Sequence, residues 1–93
     1  FDECPPYPAT YEYAKNSMEM THRWLERCFA AHQRSSDQAL FPIVQGSTYA
    51  DLRQQSATFV QQFNAHGFAI GGVSVGESKE WVNKVVSDTA PLL

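Results

Sequence analysis

Apolar residues recur at steps of three and four along most of this chain, broken by two short apolar runs. The first periodic stretch places Ala14, Met18, Thr21, Leu25, Cys28, Phe29 and His32 on one face, with Lys15, Glu19, Arg23, Glu26 and Arg27 mostly on others. That spacing predicts an amphipathic helix of about five or six turns. Thr10 is placed to cap it, with Glu12 in the first turn where the helix dipole favours an acid. Before it, Pro5, Pro6, Tyr7 and Pro8 exclude a helix or an inner strand, so any strand preceding them ends there, with Asp2 and Glu3 at its carboxyl tip. The polar stretch 33–38, with its adjacent serines, reads as a return loop.

Leu40, Phe41, Pro42, Ile43 and Val44 form a near-continuous apolar run that stops at Gln45 and Gly46, which predicts a strand covered on both faces. Thr48 with Asp51 approximates a capping box for a second helix whose face is Leu52, Ser56, Phe59, Val60 and Phe63. Gly67 is expected as its left-handed C-cap. Phe68, Ala69 and Ile70 make a second short strand, followed by Gly71, Gly72, Val73, Ser74, Val75 and Gly76. Ser78 is placed to cap a third helix facing inward through Trp81, Val82, Val85, Val86 and Thr89. Strands alternating with helices imply a parallel sheet with right-handed crossovers, an α/β architecture in which ligands sit beyond the carboxyl ends of the strands.

Composition narrows the function classes. Ninety-three residues, 43% of them apolar, suffice for one small core, so residues 1–93 read as a single segment. Phe rather than Met at position 1, with a dense polar cluster directly after it, looks like a cut through a longer chain. The formal charge of -3 supplies no basic footprint for phosphates. No apolar run is long enough for a membrane span and no signal region is present, so a cytoplasmic protein is expected. Cys4 and Cys28 lack a second cysteine or a histidine at ligand spacing, so both read as reduced thiols and no cofactor or metal is expected in this segment. His22, His32 and His66 likewise lack metal spacing and read as surface or capping residues; Trp24 and Trp81 read as packing residues.

Three polar features fall on one edge of the expected sheet: Asp2, Gln45, and the bare backbone at Gly71 and Gly72. A carboxylate accepts two donors, an amide donates and accepts, and a glycine N–H reaches a close carbonyl. Together they could read a flat heterocycle with a ring N–H, an exocyclic amine and a ring carbonyl, as guanine presents. Taken singly, each has a plainer reading: Asp2 a strand-end acid, Gln45 a turn amide, the glycines a tight connection, Glu77 a helix-start carboxylate.

The motifs go further. Asp2-Glu3-Cys4 with Pro6-Tyr7-Pro8-Ala9-Thr10, Leu40-Phe41 leading to Val44-Gln45-Gly46, and Gly71-Gly72-Val73-Ser74-Val75-Gly76-Glu77 resemble, in that order and across essentially the whole chain, the tRNA-guanine transglycosylases, or queuine tRNA-ribosyltransferases. The resemblance implies a partial (β/α)8 TIM barrel, about three βα units of the eight, in which the missing portions lie on both sides. It implies an enzyme that exchanges guanine at the tRNA wobble position for a 7-deazaguanine. Asp2 matches the family's base-recognition aspartate, Gln45 and Gly72 the groups that hold the ring carbonyl, with Gly71 beside them. Val73 matches the position whose carbonyl meets the 7-substituent, and Glu77 a carboxylate that assists reorientation of that peptide. Cys4 and Val75 resemble the bacterial members, while the stretches around Arg23-Trp24-Leu25 and His32-Gln33-Arg34 also look like eukaryotic ones. The family's nucleophilic and second catalytic aspartates fall outside residues 1–93, as does its zinc site, so this segment is expected to read the base and to hold no catalytic residue. A homodimer acting on tRNA is implied for the complete protein. A non-catalytic partner subunit with the same barrel is the alternative.

Overall fold

The computed structural model describes all residues 1–93. Residues 1–10 form no helix or strand. The order of elements is then α1 (Tyr11–Ala31), β1 (Ile43–Val44), α2 (Ala50–Val60), β2 (Ala69–Ile70), α3 (Lys79–Thr89) and a 3-10 turn, Ala90–Leu92. Helix α1 begins where expected: the Thr10 side chain accepts the Tyr13 N–H at 3.2 Å, satisfying one of the donors a helix start leaves free. Its buried face is Ala14, Ser17, Met18, Thr21, His22 and Leu25.

Strands β1 and β2 pair in parallel, Ile43 opposite Ala69 and Val44 opposite Ile70. The ladder extends by Ala69 N–H to the Pro42 carbonyl and Gly71 N–H to the Val44 carbonyl, both 2.8 Å. The architecture is thus α/β with a two-stranded parallel sheet. Helix α2 is the hub, packing on β1, α1 and α3. Leu25, Val44, Ala57 and Val60 form the main core, flanked by Phe29, Phe59, Phe63, Phe68 and Leu92. Ala14, Met18 and Leu52 form a second cluster against Tyr49.

Several local expectations give way. The run from Leu40 to Gly46 pairs only at Ile43–Val44, and Phe41 is 49% exposed rather than covered. Side chains alternate across a strand, so Val44 enters the helix-covered face and Ile43 the half-open one. Thr48 caps nothing: α2 starts from Tyr49 without a side-chain cap. Gly46 (φ 128°) and Ser47 (φ 52°) take up the turn, and Asp51 instead accepts the Tyr11 hydroxyl. Helix α2 stops at Val60, before Phe63, with Gln61 as a right-handed C-cap. Gly67 is not left-handed. It lies under the Phe41 ring, where a Cβ would come within 3.0 Å of an edge carbon. Helix α3 is capped by Ser78 as expected, but it buries only Val85 and Thr89, and Val86 is exposed.

Candidate functional site

Beyond the carboxyl end of β1, Gly46 and Ser47 turn the chain back so that Gln45 points along the sheet edge, 1% exposed. Its Nε2 donates to Asp2 Oδ2 at 2.9 Å, a bond across 43 positions of sequence. Its Oε1 is buried and accepts nothing. After β2 the chain passes the same amide: a Cβ on Gly71 would meet Gln45 Nε2 at 2.8 Å, and one on Gly72 would meet Gln45 Oε1 at 2.9 Å. Gly72 also has φ 69°, so glycine is required there by both space and backbone. None of the backbone hydrogen bonds uses the Gly72 N–H. Asp2, Gln45, Gly71 and Gly72 therefore come together, presenting a carboxylate, an amide with a free acceptor, and a free peptide N–H.

The remaining expected residues lie on the two segments that carry Asp2 and the glycines. Glu77 Oε1 accepts the Val75 N–H at 2.9 Å, and the Val75 carbonyl accepts the Tyr7 N–H at 3.0 Å, which ties the glycine loop to the segment carrying Asp2. Val73 is half-buried next to Ser74, which has φ 63°. Cys4 is an exposed free thiol. Asp2 itself is exposed; its neighbour Glu3 is anchored to α1 through its N–H to Thr21 Oγ1 (3.1 Å) and its carbonyl to Ser17 Oγ (3.4 Å).

Two residues behind the site were not foreseen. Arg53, 1% exposed, sends its guanidinium from α2 under the sheet edge, donating from Nε to the Ser47 carbonyl (2.7 Å), from Nη1 to the Gly71 carbonyl and from Nη2 to the Gly72 carbonyl (2.9 Å). Burial lowers its pKa to about 10, an effect opposed by the charges of Cys4 and Glu77, so it stays protonated at neutral pH. His22, expected at the surface, is 8% exposed and stacks on Phe59 with ring centroids 4.1 Å apart. Its Nε2 lies 2.9 Å from Ser56 Oγ, which accepts the Gln45 N–H at 3.0 Å. Burial lowers the His22 pKa to about 4, against a weaker opposite pull from Glu19, which leaves the ring neutral and able to accept the Ser56 proton. His32, by contrast, is the C-cap of α1, its Nε2 3.1 Å from the Gln38 carbonyl, and His66 is exposed.

A sequence signal existed for both. Tyr49, Arg53, Ser56, Ala57 and Val60 share one helical stripe, as do Met18, His22 and Leu25, so a charged or titratable residue stood on each buried face. No three His, Cys, Asp or Glu side chains gather into a metal-holding group, so zinc finds no fitting ligand set in these residues. No helix is long and apolar enough to cross a membrane. The largest surface depression, about 370 Å³, is lined by Phe1, Trp24, Arg27, Cys28 and Ala31 and not by Gln45.

Comparison with known proteins gives this geometry a context. The family model described as queuine tRNA-ribosyltransferase matches residues 1–93. Relatives named queuine tRNA-ribosyltransferase from Anoxybacillus flavithermus, Geobacillus thermodenitrificans and Bacillus pumilus are 59%, 58% and 57% identical over 93 residues. All of this chain is covered in each match, and it spans 24% of the relatives' length.

Proposed function

Because this chain belongs to the queuine tRNA-ribosyltransferase family, we propose that it is the base-reading segment of a pentosyltransferase that exchanges guanine in tRNA for a 7-deazaguanine. The observation that carries this reading is the convergence of Asp2, Gln45 and Gly72, brought from three separate stretches of chain to one sheet edge. In the proposed complex the Asp2 carboxylate accepts the ring N–H and the exocyclic amine, and Gln45 Nε2 with the Gly72 N–H donates to the ring carbonyl. Entry of the base exchanges the Gln45–Asp2 bond for these contacts. Charge-assisted bonds to the carboxylate are the stronger set. Gly71 passes the same amide, Val73 and Cys4 are assigned to this edge by family membership, and Glu77 holds the loop through Val75.

The parallel pair β1–β2 with its helices is proposed to be part of a (β/α)8 barrel, on the strength of the strand-helix order and the family. Strand-end ligands are the rule for that architecture. The nucleophile, the zinc and the pairing of two copies belong, in this proposal, to the complete protein, as does a cytoplasmic location, and all rest on family membership. The complete protein should incorporate labelled guanine into substrate tRNA. Asp2→Ala should abolish that incorporation, and full activity of the variant would overturn the role given to Asp2.

A further inference from the structure

Arg53 is a buried cation without an ion pair: no carboxylate lies within salt-bridge distance, and its bonds go to backbone carbonyls. Two of those carbonyls, Gly71 and Gly72, belong to the loop that edges the site. The Gly71 carbonyl is in the same peptide unit as the Gly72 N–H. Withdrawing electron density at the oxygen makes that N–H a stronger donor, and hydrogen bonds in series polarise one another in a low-dielectric interior. The Gly71 N–H, in the preceding peptide unit, donates to Val44 and holds the strand end against β1. A buried charge there is costly to hold, and a methionine or leucine would fill the space but leave the Ser47, Gly71 and Gly72 carbonyls without a donor. The Gly72 N–H itself is left without a protein acceptor.

We propose that Arg53 is a positioning residue that polarises the Gly71–Gly72 peptide, sharpening the Gly72 N–H as a donor toward a ligand carbonyl. The inference rests on the base-reading assignment above and adds the group that tunes it. Arg53 touches no ligand; it fixes the φ 69° turn at Gly72 through one bond and charges the donor through another.

The test uses the complete protein carrying this segment, with guanine as the probe and glycine-selective ¹³C/¹⁵N labelling. Arg53→Met should weaken guanine binding about tenfold, the scale of one charge-assisted hydrogen bond. It should also move the Gly72 amide ¹⁵N resonance upfield. Arg53→Lys, which keeps a charged donor, should recover part of both. Unchanged guanine affinity, or an unmoved Gly72 resonance, overturns the proposal and leaves the base-reading assignment standing. Failure of the unaltered protein to bind guanine instead removes that assignment and this proposal with it. Should Arg53→Met not fold, the unaltered protein decides: a downfield Gly71 carbonyl ¹³C resonance supports polarisation, and an ordinary one refutes it.

Discussion

Asp2 and Gln45 share one hydrogen bond, yet very different amounts of protein hold them in place. Gln45 is fixed from behind: its N–H by Ser56, which is backed by His22, and its side chain by the close passage of Gly71 and Gly72, themselves held by Arg53. Asp2 sits exposed on a segment without regular structure, whose nearest anchors are the two bonds that Glu3 makes to α1. One side of the site is a wall backed by the sheet and helices, and the other an arm held to it by the Gln45–Asp2 bond and by Glu3.

The sharpest way to break this contrast is to damage each side in turn. Arg53→Ala orphans the Ser47, Gly71 and Gly72 carbonyls and should cost about 3 kcal/mol or more of stability, since each buried unpaired acceptor costs about 1–3 kcal/mol. Thermal melting of the complete protein reads it as a large drop in Tm. Asp2→Ala should leave that melt unchanged while weakening guanine binding about 100-fold, against about tenfold for Gln45→Ala, because two ring donors lose an anionic acceptor. Calorimetry on the two variants measures the difference; equal small losses would erase the distinction between arm and wall.

The wall should also respond to acid through His22. Its pKa is near 4 in the folded protein and 6.5 as a free side chain, so between these values the unfolded chain binds the extra proton. Stability is therefore complete above about pH 6.5 and falls as the pH drops toward 4, and His22→Gln should flatten that slope in melts across the window. The smallest effect is expected away from the site. Ser78→Ala removes only the side-chain cap of α3 and should cost about 1 kcal/mol, with guanine affinity intact.

The same division describes what the sequence made legible. Thr10 and Ser78 act locally, each accepting an N–H three residues on, so their caps could be read from a few letters. Gln45 before Gly46, and Gly71-Gly72 after a short strand, likewise announce backbone constraints that hold wherever the chain goes. Thr48 failed as a cap because two positive-φ residues, Gly46 and Ser47, used up the turn first, a conformation no letter at 47 announces. Arg53 and His22 were missed for a different reason. From sequence alone Arg53 has no assigned role and His22 reads as a surface or capping residue, although each stands on the buried stripe of its helix, because a charged or titratable side chain is costly to bury. What burial left them were partners distant in sequence: carbonyls at 47, 71 and 72 for Arg53, and Ser56 for His22. Residues that break the apolar pattern at the site were the ones supporting it.

The most direct measurement is a crystal structure of the complete protein with guanine bound. The account predicts the ring at the edge of β1 and β2, its N–H and amine on the Asp2 carboxylate, its carbonyl on Gln45 Nε2 and the Gly72 N–H, and the Gln45–Asp2 bond broken. Guanine bound elsewhere, or bound with the Gln45–Asp2 bond still intact, would contradict it.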